Sequence, residues 1–168
     1  MSRENLEILI ERLSEDLGLG DLRLDPELDA CGFVADGRLD VLIEFDDASA
    51  SVILTATIGD LPVENRGAVL QDLLDANYYA IGSGGGTFAT NSDLGKVYLQ
   101  IRESTAQLDK TRLVQLVQSL LNTGDAWQER LTGGAAAAGS APAPSGTGSG
   151  ESGTPEGTFG RMFPGGLV

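Results

Sequence analysis

The most informative absence in this 168-residue sequence is that of histidine, which does not occur at all. Histidine is the commonest general base of enzymes and the commonest metal ligand, so the chain lacks Ser-His and Cys-His catalytic pairs. Cys31 is the single cysteine, which excludes an intramolecular disulfide and a cysteine-rich zinc site. We therefore expect a binding protein that is not an enzyme and that holds no metal and no cofactor.

Long apolar runs and basic residues are also scarce. No stretch approaches the roughly 20 apolar residues that span a membrane, and the first residues lead into a charged amphipathic pattern that is unlike a signal peptide. The chain has 11 basic against 25 acidic residues, a formal charge of −14. A net anion is repelled by nucleic acid and by anionic membranes. We expect a cytoplasmic protein whose partner is neither of these.

The composition changes sharply after Leu131. Residues 133–157 are almost entirely Gly, Ala, Ser, Pro and Thr, with two glutamates. Such a segment buries too little apolar surface to offset its ordering entropy, so we predict a folded domain at 1–131 and a disordered tail at 132–168. The apolar residues at 159–163 are either a short docking peptide or a segment without function, and the sequence leaves both open.

The first half of the folded part changes from a helical to a strand pattern. Apolar residues recur at helical spacing, and Gly18 ends this predicted helix. The members of the stripe are Leu6, Leu9, Ile10, Leu13 and Leu17. Alternation of period two then predicts three antiparallel strands, with Asp36-Gly37 as a hairpin turn between the first two.

The second half predicts two more helices and two more strands. A helix is expected over 63–80 with Pro62 near its first turn, followed by a glycine-rich break and strands at 87–90 and 96–102. Asp109 is the expected N-cap of a long last helix. The order α-β-β-β-α-β-β-α indicates an α+β fold with an antiparallel sheet that helices cover on one face.

Several patterns resemble chemical sites only superficially. The glycine-rich run at 83–87 lacks the lysine of a phosphate-binding loop and lies where a helix-to-strand connection is expected. The acidic run at 25–29 lacks the glycine and the terminal glutamate of a calcium loop. Cys31 starts a strand and is expected to be a small buried apolar residue. None of these patterns predicts a catalytic or metal-binding residue.

Four short motifs, spread over about 4–131, carry a family resemblance. They are Leu17-Gly18-Leu19, Cys31-Gly32-Phe33, Gly59-Asp60-Leu61-Pro62 and Leu73-Leu74-Asp75-Ala76-Asn77. In this order, and followed by a glycine-rich turn at 82–86, Leu108-Asp109 and the late Trp127, they make the sequence resemble the class I chaperones of bacterial type III secretion, the CesT family. The resemblance does not account for the segment beyond Leu131.

The resemblance implies a homodimer that binds the extended N-terminal region of a secreted effector and keeps it soluble and competent for export. An extended peptide can add a strand to an open sheet edge, and an acidic surface suits basic effector segments. The export ATPase is a further candidate partner. The alternative is a scaffold or regulator of the secretion machinery with the same fold, which would reach its partner through residues 159–163.

The resemblance also suggests where the two surfaces lie. It places helix two in the dimer interface, and the expected residues are Val69, Leu70, Leu73, Leu74, Asn77 and Tyr78. For the effector we expect helix one and the first two strands, with Leu6, Leu9, Leu13, Val34, Leu42 and Glu44. Val34 and Leu42 alternate with Phe33 and Val41, so both apolar sets cannot cover one core. The outer set is either a partner site or is covered by helix one.

Overall fold

A computed structural model describes residues 3–133 of the chain. Its three helices and five strands follow the predicted order, and the fold is α+β, as predicted. The elements are α1 (Arg3–Leu17), β1 (Ala30–Ala35), β2 (Leu39–Asp46), β3 (Ser51–Asp60), α2 (Arg66–Asn77), β4 (Thr87–Asn91), β5 (Lys96–Ser104) and α3 (Lys110–Thr132). A short 3-10 turn, Tyr78–Ala80, follows α2 directly.

The five strands form one antiparallel sheet in the order β1-β2-β3-β5-β4, so β1 and β4 are its edges. The predicted hairpin turn joins β1 to β2. Asp36 and Gly37 both have positive φ, 49° and 67°, and the Arg38 N–H donates to the Ala35 C=O at 2.9 Å. Two successive positive φ values are the signature of the hairpin turns that match strand twist, which is why an Asp-Gly pair occupies them.

The core lies between one face of the sheet and the two long helices. The apolar stripes of α1 and α3 pack on this inner face, where the strand residues of one parity are buried. Gly124 allows α3 to approach closely, since a Cβ there would lie 3.1 Å from Leu39 Cδ1 and 3.3 Å from Ile58 Cδ1. The largest fully buried side chains are Leu6, Ile10, Leu13, Leu39, Ile43, Leu54, Ile58, Leu99, Leu113 and Leu120.

The helix boundaries confirm one prediction and correct another. Asp109 caps α3 as predicted, because its Oδ1 accepts the Arg112 backbone N–H at 2.7 Å. Helix α2, however, starts at Arg66 instead of 63, and Pro62 lies outside it. Asn65 has a left-handed backbone (φ 57°), which prevents the right-handed helix from extending further toward Pro62.

The C-terminal part of the prediction is only partly covered by the structure. Helix α3 runs to Thr132, one residue past the expected domain boundary, and the Gly133 N–H donates to the Glu129 C=O at 2.8 Å. The remaining predicted tail, including residues 159–163, lies outside the described residues. Between residues 3 and 133, no helix is both long and apolar enough to cross a membrane.

Candidate functional site

The face of the sheet opposite the core carries exposed apolar side chains. Val34 is 56% exposed and Leu42 39% exposed, whereas their strand neighbours Val41 and Ile43 are buried. We call this the outer sheet face. The register places on it Val34, Asp40, Leu42, Glu44, Ile53, Thr55, Tyr98, Gln100 and Arg102. Helix α1 packs with α3 on the inner face, so it does not cover Val34 and Leu42.

The β1 edge of the sheet offers backbone groups to a further strand. The Asp29 C=O accepts the Phe45 N–H at 2.8 Å, on the β2 side, and the Ala30 C=O accepts the Asp25 N–H at 2.7 Å on the other side. Because backbone groups alternate in direction along a strand, Gly32 and Val34 direct their N–H and C=O toward the open edge. Both residues are exposed.

The three leucines of α1 that were expected to contact the effector are buried. Leu6 and Leu13 have no exposed surface and Leu9 is 9% exposed. Their stripe packs on α3 and the sheet, so it serves the core and leaves nothing for a partner to contact. The exposed large apolar side chains of α1 are instead Ile8, on the opposite side of the helix, and Leu17, at the C-terminal end of the stripe.

Of the six residues expected at a dimer interface, four are at least partly exposed and two make contacts within their own chain. Leu74 and Tyr78 are exposed, at 64% and 68%, and Val69 and Leu70 are half-buried. Leu73 is buried in the core of its own chain. Asn77 fixes α2 to β4, since its Oδ1 accepts the Phe88 N–H at 2.7 Å and its Nδ2 donates to the Phe88 C=O at 3.1 Å.

The end of α2 and the turn that follows it carry four exposed apolar side chains. Tyr79 and Ile81 are at least as exposed as Leu74 and Tyr78, and we call these four residues the α2 apolar surface. The rings of Tyr78 and Tyr79 meet edge to face with centroids 4.6 Å apart. The helical pattern did not indicate Ile81, because it follows a turn in which Tyr79 and Ala80 have positive φ.

The carboxylates of the outer sheet face differ in their partners. Asp46 accepts the Ser49 hydroxyl at 2.6 Å and the Arg102 guanidinium at 3.1 Å. Hydrogen bonds from Ser49, and then from Arg102, lower the pKa of Asp46. Within the described part of the chain, the carboxylates of Asp40 and Glu44 form no hydrogen bond or ion pair. These two, which flank Leu42 along β2, remain available to a basic partner.

The other patterns of the sequence have structural roles. The glycine-rich turn supplies acceptors to α3: Ser119 Oγ donates to the Gly84 C=O at 2.9 Å, and Trp127 Nε1 donates to the Gly82 C=O at 3.0 Å. Cys31 is buried, and burial raises the pKa of its thiol to about 11. Among residues 3–133, no group of three or more His, Cys, Asp or Glu is placed to hold a metal ion.

Comparison with known proteins identifies the family. The model of the Tir chaperone protein (CesT) family matches residues 8–128 of this chain. The chain belongs to the CesT family. This is a family of chaperones rather than enzymes. Among curated individual proteins, no significant match is found.

Solved structures share the fold of this CesT-family chain at low sequence identity. A chain of the ExsC–ExsE complex superimposes with a TM-score of 0.69 at 22% identity, covering 77% of this chain and 95% of its own. A chain of the HopA1–SchA chaperone–effector complex gives 0.62 at 18%, covering 77% and 98%. The Yersinia pestis type III secretion chaperone SycH, in complex with a fragment of YscM2, gives 0.57 at 20%, covering 71% and 97%.

Proposed function

We propose that this CesT-family protein is a type III secretion chaperone that binds the N-terminal region of a secreted effector and keeps it soluble and competent for export. Two structures with the same fold are described as a chaperone–effector complex and as a type III secretion chaperone. The observation in this chain that carries the proposal is an uncovered apolar sheet face beside an open strand edge. Such a surface fits an extended polypeptide.

The binding mode follows from the two features of that surface. Gly32 and Val34 supply backbone donors and acceptors at the edge, and Val34 and Leu42 supply apolar contacts on the outer sheet face. A cargo segment that adds a strand to β1 satisfies its own backbone groups and buries alternate side chains. The wrapped area then offsets the cost of ordering an unfolded segment.

The effector surface can be tested with one substitution and a matched control. Leu42→Asp places a charge in the apolar part of the outer sheet face and should weaken binding at least about tenfold, because an apolar contact is lost and a carboxylate is desolvated. The fold should persist, since changes at exposed positions typically cost within about 0.5 kcal/mol. Thr87→Asp adds the same charge in the same cross-strand row, at the opposite edge of the sheet, and should leave affinity unchanged.

The measurement is isothermal titration calorimetry with the N-terminal segment of the secreted protein whose gene neighbours that of the chaperone. Thermal melting of each variant controls for folding. Equal affinity of the wild-type chain and the folded Leu42→Asp variant would remove this face from the cargo site. Failure of any such segment to bind the wild-type chain would count against the chaperone function itself.

We propose further that the protein is a cytoplasmic homodimer held together through the α2 apolar surface. The four apolar side chains of this surface are exposed to solvent in the single chain. Exposed apolar patches commonly mark an interaction site, and a second copy of the chain would cover this one. The proposed function assigns no catalytic activity to the protein. The export ATPase stays a candidate partner, and residues 159–163 stay a candidate docking peptide.

The scaffold or regulator role is the second candidate function. It predicts that the principal partner is a component of the secretion machinery and that this partner is lost when residues 159–163 are removed. Under the chaperone proposal, effector binding survives that deletion. Copurification with the full-length and shortened chains separates the two roles.

A further inference from the structure

The outer sheet face carries apolar side chains between two acidic ones. Leu42 is 39% exposed and lies on β2 between Asp40 and Glu44, which are two residues away on either side and therefore share its face. Val34 of β1 is 56% exposed and is the cross-strand neighbour of Asp40. We call these four residues the β1–β2 patch. Its chemical complement is a segment that carries both apolar and basic side chains.

Residues 159–163 of the same chain have this complementary composition. The run is Phe159-Gly160-Arg161-Met162-Phe163. Arg161 is the only basic residue from position 134 to position 168. When such a segment is extended, alternate side chains share one side, so Phe159, Arg161 and Phe163 would face the same way. The segment would thus present one cation between two aromatic rings.

Helix α3 reaches the β1–β2 turn near its C-terminal end, which brings the patch within range of this segment. Gln128 Nε2 donates to the Arg38 C=O of the turn at 3.3 Å, and the Arg38 guanidinium lies 3.1 Å from Asp125 Oδ1. From Gln128 the chain rises about 7.5 Å to Gly133. Residues 134–158 have a Gly-, Ala- and Ser-rich composition, and a coil of this kind and length spans about 25–30 Å. The path around the end of the sheet to its outer face is about 20 Å, twice the width of a helix.

Charge favours the β1–β2 patch over the α2 apolar surface as the docking site. In α2, the carboxylate of Asp75 accepts a side-chain hydrogen bond at 2.9 Å, and that of Asp72 lies 4.0 Å from the Arg130 guanidinium. Asp40 and Glu44 of the patch, by contrast, have no hydrogen-bond or ion-pair partner in the described part of the chain. The patch therefore offers a guanidinium two unpaired carboxylates, while the α2 apolar surface is the one assigned to a second copy.

A tether makes a weak contact effective. A segment held by a short flexible linker is present near its target at a millimolar effective concentration, so an affinity of about 1 mM as a free peptide is enough for docking. At an occupancy of about 75%, a competitor at the same surface binds about fourfold more weakly, which corresponds to about 0.8 kcal/mol. A contribution of this size regulates the surface without making the segment part of the folded core.

We propose that residues 159–163 dock on the β1–β2 patch of their own chain and compete there with cargo. The two phenylalanines pack on Val34 and Leu42, and the Arg161 guanidinium pairs with a flanking carboxylate. The segment lies across the face of the sheet and adds no strand to its edge. The competition with cargo rests on the proposed function, whereas the docking does not. A chain without cargo thus keeps its apolar patch covered, and cargo displaces the segment.

Docking is tested by methyl NMR on the full-length chain. Replacing both aromatic residues, Phe159→Ser with Phe163→Ser, should shift the methyl signals of Val34 and Leu42, because two rings leave their surroundings. The methyl signals of Leu74 in the α2 apolar surface should not respond. In the wild-type chain the Val34 and Leu42 signals should keep their positions over about a tenfold dilution, since a tethered contact is unimolecular.

The matched control removes two other apolar side chains from the same tail. Leu167→Ser with Val168→Ser makes an equal number of apolar-to-serine changes outside the segment. It should leave the signals of Val34 and Leu42 at their wild-type positions. Melting temperatures establish that each variant is folded.

The charge contact is tested by reversing both of its sides. The measure of docking in each background is the methyl shift that the phenylalanine substitutions cause. Arg161→Glu should abolish this shift, because the segment then meets carboxylates of its own sign. Adding Asp40→Lys with Glu44→Lys reverses the patch and should restore it.

Competition is measured by isothermal titration calorimetry with the N-terminal segment of the secreted protein whose gene neighbours that of the chaperone. The chain without the two phenylalanines should bind this segment about fourfold more tightly than the wild-type chain. The Leu167→Ser, Val168→Ser control should bind it as the wild-type chain does.

Several outcomes would overturn the inference. Val34 and Leu42 signals that do not change without the phenylalanines would refute docking on the patch and leave the chaperone function standing. A response at Leu74 instead would assign the segment to the α2 apolar surface and refute it equally. Docking with an unchanged affinity for cargo would refute the competition. If the cargo segment does not bind at all, the chaperone function fails, and the NMR result still decides whether residues 159–163 dock.

Discussion

Replacing Leu74 by aspartate should separate the proposed homodimer into folded single chains, whereas the same change at the adjacent Leu73 should unfold the chain. The two leucines are neighbours in sequence and opposite in environment. Leu73 is 3% exposed and belongs to the core, while Leu74 is 64% exposed on the α2 apolar surface. The pair therefore separates an effect on assembly from an effect on folding.

The magnitude for Leu74 follows from its exposed fraction. Full burial of a leucine side chain contributes about 1.5–3 kcal/mol, so covering the exposed 64% contributes about 1–2 kcal/mol per copy. A symmetric dimer buries the residue twice, which gives about 2–4 kcal/mol. Leu74→Ala should thus raise the dissociation constant of the dimer by about 30- to 1000-fold. Leu74→Asp should raise it further, because a carboxylate is desolvated.

The expected cost at Leu73 has a different origin. Truncating a buried leucine to alanine costs about 2–5 kcal/mol, and aspartate adds an unpaired buried charge to that loss. The sum is comparable to the whole free energy of unfolding of a small domain, about 5–15 kcal/mol. Leu73→Asp should therefore lack a cooperative melting transition at any protein concentration.

Sedimentation equilibrium over a dilution series measures the first effect, and circular dichroism measures the second. The wild-type chain should sediment at twice its mass of 17.5 kDa, and Leu74→Asp at once that mass with an unchanged far-ultraviolet spectrum. A wild-type chain that is monomeric at micromolar concentration would refute the homodimer. A Leu74→Asp variant as dimeric as wild type would refute the assignment of its interface to α2.

Three further predictions concern the tail, the α3 cap and the thiol. Deleting 134–168 should leave the fold and the assembly intact, and a melting temperature lower by more than about 8 °C, roughly 1–2 kcal/mol, would show that the segment packs on the domain. Asp109→Ala removes the acceptor of the Arg112 N–H and should cost about 1 kcal/mol in urea unfolding, and an unchanged midpoint would contradict the cap. Burial raises the pKa of the Cys31 thiol from 9.0 to about 11, so it should react with a thiol reagent at pH 8 far more slowly in the native than in the unfolded chain. Because the unfolded chain loses this proton first, the contribution of Cys31 to stability should fall as pH rises above about 9, and equal rates of reaction in native and unfolded chain would refute its burial.

Local patterns predicted the elements well because each depends on a few neighbouring residues. The Asp36-Gly37 turn and the Asp109 cap were readable since their backbone requirements are met by particular residue types at fixed offsets. The start of α2 was misjudged because Pro62 indicates only a permitted helix position, whereas Asn65 adopts a left-handed conformation. Nothing in the local residue pattern marks Asn65 as the residue that would do so.

The candidate surfaces were predictable only in outline. Alternation showed that Val34 and Leu42 lie on one face of the sheet and Phe33 and Val41 on the other. Both faces are apolar, so either could have been the face that the helices cover. The stripe of α1 was equally ambiguous, because an amphipathic helix buries its apolar face against the core or against a partner in the same way. The structure assigns that stripe to the core, which removes Leu6, Leu9 and Leu13 from the surface.

The sequence by itself determined the order of elements, the antiparallel α+β class and the family, because periodicity, turn residues and short motifs are properties of consecutive residues. Only the tertiary structure decided the sheet order β1-β2-β3-β5-β4, the open β1 edge and the side of the sheet that α1 and α3 cover. It also decided that Leu73 is inside and Leu74 outside. These features depend on which segments, distant in sequence, come into contact. Those tertiary contacts determine whether a residue is buried, and its apolar character alone does not.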